Sequence, residues 1–157
     1  MLTPSLGPKE CILLSMDDKA NVKIGVVAAN KQTAMCMHME YQVRLPNHGF
    51  IVAPKHSLTP SVYAFLQIIP NRIGQQNAVT YKGPTVVRVR SGKHATANSE
   101  SHRLDLTEIL SSKTPLLKKF TCNDRGTKRI LLLRADNGPD EAPCNPSTQR
   151  SMIQLFL

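Results

Sequence analysis

Two short apolar runs, each followed by an aspartate, constrain the fold of this chain more than any other feature. Residues 130–135 (ILLLRA) lead into Asp136-Asn137-Gly138, and residues 11–16 (CILLSM) lead into Asp17 and Asp18. Short apolar runs bounded by turn-forming residues are typical of strands buried on both faces of a sheet. We therefore predict two central strands, each of which delivers an acidic side chain to a polar turn.

The patterns between these two runs predict three more strands. A β-prone run covers residues 22–29, and apolar side chains alternate with smaller or polar ones over residues 35–45 and 84–90. Prolines and glycines interrupt residues 46–84, which predicts short strands and loops without long helices in that segment.

Helical patterns begin late in the chain. A polar loop over residues 91–99 precedes a predicted helix over residues 101–112, whose apolar residues recur at helical spacing, and Pro115 marks its stop. Asn145 is typical of an N-cap and Pro146 of a first helical residue, so a last helix is predicted to begin there.

The length and composition of the chain suit one soluble domain. It has 157 residues, 41% of them apolar, and no run approaches the roughly 18 consecutive apolar residues of a membrane helix. We predict an extension over residues 1–10, one domain over residues 11–157, and no membrane partner. The four cysteines are far apart in sequence, which argues against a zinc site or a disulfide framework and favours a reducing, intracellular compartment.

The predicted last helix runs into Leu155-Phe156-Leu157 without a glycine cap or a polar tail. An apolar helix end needs a partner that covers it. We therefore expect a truncated domain, in which a C-terminal segment with the last strand and helix is missing; a homo-oligomer is the alternative.

Positive charge is concentrated in the second half of the chain. The net charge is +9, and residues 61–157 hold 14 basic and 7 acidic side chains. Clustered cations favour a polyanion such as DNA, because each neutralised phosphate releases counterions; a basic surface without a partner is the alternative. Aromatic residues are few and tryptophan is absent, which argues against base stacking. The predicted DNA contacts are Arg88, Arg90, Lys93 and, within or next to the basic connection over residues 118–129, Lys118, Lys119, Lys128 and Arg129.

The acids at the two strand ends indicate a metal site. If the strands lie side by side, Asp17 or Asp18 converges with Asp136 at one edge of the sheet, where the charges repel unless a cation lies between them. Carboxylate oxygens suit Mg²⁺ or Mn²⁺, and two such ions can activate a nucleophile and stabilise the leaving oxygen in phosphodiester chemistry. The alternative is that Asp136 only forms a turn with the asparagine and glycine after it. His94 and His102 could contact a phosphate or a metal, but the preferred interpretation is that both are solvated side chains.

The motifs around both acids resemble those of a known class of enzymes. Asp136-Asn137-Gly138-Pro139, after an apolar strand, resembles the D-N-G-P-E-F sequence around the second catalytic acid of retroviral and retrotransposon integrases. The strand that closes on Met16-Asp17-Asp18 is similar to the first-acid strand of DDE transposases. With SMDDKANVKIG, LTPSVYA, TYKGPTVVRVRSGKHA and ADNGPDEAP, residues 11–146 look like the core of transposon-derived invertebrate proteins with this catalytic domain.

This resemblance implies an α/β fold, with a mixed five-stranded RNase H-like sheet flanked by helices and truncated after its fourth main strand and the following helix. It makes Asp17 the first metal-binding acid and Asp136 the second, with Asp18 as the alternative first acid because Asp17 and Asp18 point to opposite faces. DNGPDE holds one residue more than DNGPEF before the matching acid, which argues against Glu141 as a site residue.

The resemblance also implies a DNA partner, a nuclear location and descent from a metal-dependent DNA nuclease or strand transferase. The family's third acid lies on a later helix, beyond the last residue of this chain, so we expect little or no catalysis. A non-catalytic nucleic-acid-binding module and a fragment without a function are the alternatives.

Overall fold

The computed structural model describes residues 8–19, 22–26, 50–51, 56–136, 138 and 141–157. The predicted strand over residues 35–45 lies outside the described residues. In the described part, the long strands come mainly first and the helices mainly later, so the chain has the mixed α/β architecture that the sequence indicates. None of the helices in this part combines the length and the apolarity that a membrane span requires.

The described strands are β1 (Cys11–Asp18), β2 (Val22–Lys23), β3 (Gly25–Val26), β4 (Phe50–Ile51), β5 (Ser57–Phe65), β6 (Gln67–Ile68), β7 (Val79–Thr80), β8 (Thr85–Ser91), β9 (Cys122–Asn123), β10 (Gly126–Thr127) and β11 (Ile130–Arg134). The described α-helices are α1 (Ser99–Ser111), α2 (Pro115–Thr121) and α3 (Pro146–Gln154), and two 3-10 turns span Pro70–Arg72 and Gln76–Ala78.

A mixed sheet of five strands organises the domain around β1. This strand pairs in parallel with β11, with Cys11 opposite Ile130, and antiparallel with β5. Strands β8 and β2 both pair antiparallel with β5. Because β1 and β11 run in the same direction as neighbours, both end at the same edge of the sheet. The strand ends that carry the predicted acids therefore lie at one edge of the sheet.

The core lies between one face of this sheet and the helices. Alternate residues of β1 point to that face, and α1 covers them with side chains one helical turn apart. The fully packed cluster consists of Ile12, Leu14, Met16, Tyr63, Phe65, Leu106 and Ile109.

The predictions of the strand over residues 84–90 and of the two helices are confirmed with small shifts. The strand is β8. Helix α1 begins at Ser99 because Asn98 and Ser101 form a reciprocal capping box, in which each side chain accepts a hydrogen bond from the other's backbone. Helix α3 begins at Pro146, and the side chain of Asn145 caps it as predicted.

Three predictions differ from the structure. The connection over residues 118–129 contains the end of α2 and the hairpin of β9 and β10. Pro115 lies beyond the end of α1, as predicted, and it also begins α2, because a proline loses no hydrogen bond at a first helical position. Strand β11 is half-buried, not buried on both faces. Strand β5 has nine residues although it contains Pro60. The carbonyl of Pro60 accepts a hydrogen bond from the backbone N–H of Lys19, the residue after β1. Because this contact lies at the end of the β1–β5 pairing, the N–H that Pro60 lacks costs only one hydrogen bond there.

Leu106 provides a test of how α1 packs on the sheet. Its side chain is fully buried, whereas that of Leu104 on the same helix is 54% exposed. We expect Leu106→Ala to lower the free energy of unfolding by about 3 kcal/mol, because it removes buried methyl groups and leaves a cavity. Urea unfolding followed by circular dichroism measures the change. Leu104→Ala, the matched control, is expected to cost less than about 0.5 kcal/mol; equal losses would contradict this packing.

Candidate metal centre

The two aspartates at the end of β1 point to opposite faces of the sheet. Leu14 and Met16 belong to the core that α1 covers, so strand alternation places Asp18 on their face and Asp17 on the other. The side chain of Asp18 is 18% exposed, and its Oδ1 is buried without a hydrogen-bond partner among the described residues. The side chain of Asp17 is 40% exposed. Asp18 therefore enters the protein interior, and Asp17 faces solvent.

His102 lies in the first turn of α1, just after the capping box. Its backbone N–H donates to the carbonyl of Asn98 at 3.0 Å, and its ring is completely buried. The interpretation of His102 as a solvated side chain is therefore wrong, while His94 is exposed. His102, Leu106 and Ile109 are spaced i, i+4 and i+7, which is one face of a helix. This spacing is the sequence signal for the burial of His102.

Glu141 reaches the same edge of the sheet from the turn after β11. Its backbone N–H and that of Ala142 both donate to the carbonyl of Gly138, at 3.2 and 2.8 Å. The side chain of Glu141 is 2% exposed. The fold thus brings Glu141 to the edge of the sheet where β1 ends at Asp18. This differs from the sequence prediction, in which the extra residue of the DNGPDE motif argues against Glu141 as a site residue.

Asp18, His102 and Glu141 form a cluster of three potential metal ligands. One ligand atom of each lies within 4.8 Å of the other two. His102 Nε2 is 3.5 Å from Asp18 Oδ2 and 3.8 Å from Glu141 Oε1. Two ligand atoms about 2.1 Å from one ion, at an angle of roughly 110°, would be about 3.5 Å apart. The cluster can therefore hold a metal ion with these three side chains.

Burial of two carboxylates favours a positive charge in this cluster. Two carboxylates taken out of water repel each other and lose their hydration, which costs several kcal/mol each unless a cation compensates them. A divalent ion would convert this repulsion into attraction. Three protein ligands would also leave coordination positions for water or for a substrate oxygen.

A buried hydrogen-bond chain determines which nitrogen of His102 faces the carboxylates. The hydroxyl of Tyr63 lies 2.8 Å from His102 Nδ1 and donates its single proton to Asp105 Oδ2 at 2.7 Å. The ring must therefore donate from Nδ1, which leaves Nε2 as the atom that can bind a cation. Burial, together with the hydrogen bond to Asp105, raises the pKa of Tyr63, so the hydroxyl keeps its proton.

Arg90 completes this chain, because its guanidinium pairs with the carboxylate of Asp105 and also donates to Ser61 Oγ. The side chains of Arg90 and Asp105 are 10% and 16% exposed. Burial opposes the charge on Arg90, but hydrogen bonds with Tyr63 and Asp105 and the charge of Asp105 outweigh it and raise the pKa of the guanidinium. Histidines that bind metals are typically oriented by such outer partners.

Asp17 and Asp136, the acids preferred from the sequence, line an open groove of about 490 Å³ together with Lys19. The ammonium of Lys19 pairs with the carboxylate of Asp17. Asp136 Oδ1 accepts a hydrogen bond from the backbone N–H of Gly138 at 2.8 Å. This contact is the turn-forming role that the sequence gives as the alternative for Asp136. The predicted metal acids are therefore divided, with Asp18 in the buried cluster and the other two in the groove.

The predicted DNA contacts fall into three groups. Arg88 pairs with Glu108 at 2.5 Å and Arg90 pairs with Asp105, so the charges of both arginines are compensated by α1. Lys93 is exposed in the loop after β8. The remaining cations lie near the start of β1 and β11, at the end of the sheet opposite to the acids: Lys118, Lys119 and Arg129, which are exposed, and Lys128, which is half-buried.

Comparison with protein-family models finds no match for this chain, and comparisons with curated proteins and with solved structures find none either. The geometry of the buried cluster and the motifs around Asp136 are therefore the basis on which a function can be proposed.

Proposed function

We propose that this chain is an RNase H-like domain of the integrase and transposase type, which binds DNA and holds one divalent ion with Asp18, His102 and Glu141. The observation that carries the metal site is the separation of the ligand atoms, 3.5 and 3.8 Å from His102 Nε2. These distances suit ligands that share an ion and are longer than the roughly 2.8 Å of a charge-assisted hydrogen bond.

The pairing of the two acid-bearing strands supports the integrase-type fold. In that family the first and second acids come from different strands and must meet at one site. Parallel pairing of β1 with β11 brings Asp18 and the turn after Asp136 to one edge of the sheet. The turn then adds Glu141 to the same edge, which gives the proposed site a third ligand.

The ligand set favours Mn²⁺ over Mg²⁺. Carboxylate oxygens suit both ions, but imidazole nitrogen is a ligand of transition metals, whereas Mg²⁺ prefers oxygen ligands and retains its water. With His102 among three ligands, we expect the centre to bind Mn²⁺ more tightly than Mg²⁺.

A single ion supplies only part of the chemistry of phosphodiester cleavage. It can neutralise charge on the phosphate oxygens and activate water, but the two-metal mechanism uses a second ion to stabilise the other reacting oxygen. We therefore expect slow nicking and little or no strand transfer, which keeps the expectation of weak catalysis drawn from the sequence.

The remaining cations support a DNA contact that extends away from the metal centre. Lys118, Lys119 and Arg129 are exposed beyond the start of β11, and Asp136 follows its end. Five strand residues span roughly 17 Å, so a bound duplex would contact these cations several base pairs from the ion. Binding through phosphates is expected to weaken steeply as salt rises.

A nicking assay on supercoiled DNA tests the proposal. We expect slow nicking with Mn²⁺, slower nicking with Mg²⁺ and none with a chelator, because the ion stabilises the charge that develops on the phosphate. Glu141→Gln is expected to abolish nicking. Glu100→Gln, the same change at an exposed position of α1, should leave it unchanged. Salt-sensitive DNA binding without metal-dependent nicking in the wild type would contradict the proposal and favour a non-catalytic binding module.

A further inference from the structure

Lys19 directly follows Asp17 and Asp18, whose side chains point to opposite faces of the sheet. It is the residue directly after β1, and its backbone N–H donates to the carbonyl of Pro60 at 2.9 Å, which fixes its backbone at the edge of the sheet. Its ammonium pairs with Asp17 in the groove, and its side chain is 57% exposed. The chain therefore has its own cation next to the proposed metal site, within reach of a substrate from solvent.

Further carboxylates surround this ammonium. Asp136 follows the end of β11 by two residues and lines the same groove as Asp17 and Lys19. The pKa of Lys19 is raised first by its hydrogen bond and ion pair with Asp17, and also by the charges of Asp136 and Glu141. The same ammonium thus neutralises the acids of the groove.

We propose that the ammonium of Lys19 takes the place of a metal ion at Asp17 and Asp136, as a fixed cation in the groove beside the proposed metal site. This inference rests on the proposed function. Neighbouring carboxylates repel each other unless a cation lies between them, and in two-metal sites a second ion supplies that charge. Here Lys19 supplies that charge at every metal concentration, so the centre needs only one ion.

Lys19 would act on the phosphate that is cleaved. The oxygen of a water molecule bonds to phosphorus as the bond from phosphorus to one sugar oxygen breaks. The water loses its proton to solvent, and the sugar oxygen takes up a proton from solvent. The ammonium of Lys19 donates to a non-bridging phosphate oxygen and stabilises the charge that grows there. An ammonium activates water less than a metal ion does, which is consistent with slow nicking.

The number of Mn²⁺ ions bound by the full chain tests this assignment. Calorimetry is expected to give one ion per wild-type chain and two per Lys19→Met chain, because loss of the ammonium opens Asp17 and Asp136 to a second ion. Lys19→Met/Asp136→Asn should return to one ion. Lys23→Met, which changes an exposed lysine of β2, is the matched control and should bind one.

Nicking rates give a second measurement of the same role. At a Mn²⁺ concentration that fills only the buried cluster, Lys19→Met is expected to nick about a hundredfold more slowly than the wild type. At higher Mn²⁺ the rate should recover, because a second ion takes the place of the ammonium. Lys19→Arg keeps the positive charge and should stay close to the wild-type rate without the extra ion.

The outcomes separate this inference from the function on which it rests. One bound ion and equal nicking rates in the wild type and in Lys19→Met would overturn the role of Lys19 and leave the proposed function intact. A wild-type chain that binds no Mn²⁺ would contradict the proposed function itself. Lys19→Gln serves as a second variant, and far-UV circular dichroism checks that each variant is folded.

Discussion

Asp18→Asn and Glu141→Gln are each expected to weaken Mn²⁺ binding about a hundredfold or more, because each removes one of two charged ligands from a buried site. In the metal-free protein the same changes should raise the thermal midpoint, since they remove repulsion between two buried carboxylates. Calorimetry measures the affinity. Thermal unfolding with and without Mn²⁺ measures the stability, because an ion bound only by the folded state raises the midpoint.

The opposite signs of these two effects distinguish a metal site from an internal ion pair. If a protonated His102 held Asp18 and Glu141 together without a metal, either substitution would lower the stability of the metal-free protein. Asp17→Asn is the matched control, because it makes the same change one residue away on the open face of β1. It should leave the affinity for the first ion nearly unchanged. Loss of binding in Asp17→Asn but not in Asp18→Asn would place the metal in the groove.

The acidic edge of the sheet is the part of the site that the sequence predicts well. Apolar runs and turn-forming residues reflect local physics, so the strands before Asp17 and Asp136 could be predicted, and the structure pairs them. The choice between Asp17 and Asp18 could not be made, because β1 is apolar on both faces. Only the packing of α1 on one face of β1 assigns Asp18 to the interior.

His102 and Glu141 could not be predicted as partners, because tertiary contacts bring them together. The helical spacing of His102 with Leu106 indicates a buried ring but not what the ring touches. Its orientation depends on the hydroxyl of Tyr63, from a strand distant in the sequence. Glu141 depends on a turn that closes on the carbonyl of Gly138. The length of the motif argues against Glu141 as a site residue, because the number of residues does not determine how the chain turns back.

The arginines of β8 show that the sequence also cannot predict which charged side chains pair with each other. Their alternation with valines correctly predicts a strand with a basic face. That face packs beside α1, where Glu108 and Asp105 neutralise Arg88 and Arg90. A count of charges in the sequence cannot distinguish a cation that faces DNA from one that pairs within the fold. The cations around α2 are therefore the better candidates for phosphate contacts.

Arg90→Met is expected to lower the free energy of unfolding by about 3 to 5 kcal/mol, because it leaves the carboxylate of Asp105 in a largely buried position without its cation. Urea unfolding of the metal-free protein measures the loss. Arg88→Met is the matched control on the same face of β8. Its partner Glu108 is 67% exposed, so breaking that pair should cost less than about 1 kcal/mol.

A double-mutant cycle with Asp105→Asn assigns the effect of Arg90→Met to the pair. Asparagine removes the uncompensated charge and still accepts the proton of Tyr63, so Arg90→Met/Asp105→Asn should be more stable than Arg90→Met alone. Because Asp105 orients His102 through Tyr63, Arg90→Met should also weaken Mn²⁺ binding about tenfold or more, and the double variant should recover part of that loss. A loss of stability with unchanged Mn²⁺ affinity would mean that the chain from Arg90 to His102 stabilises the fold but does not orient the metal ligand.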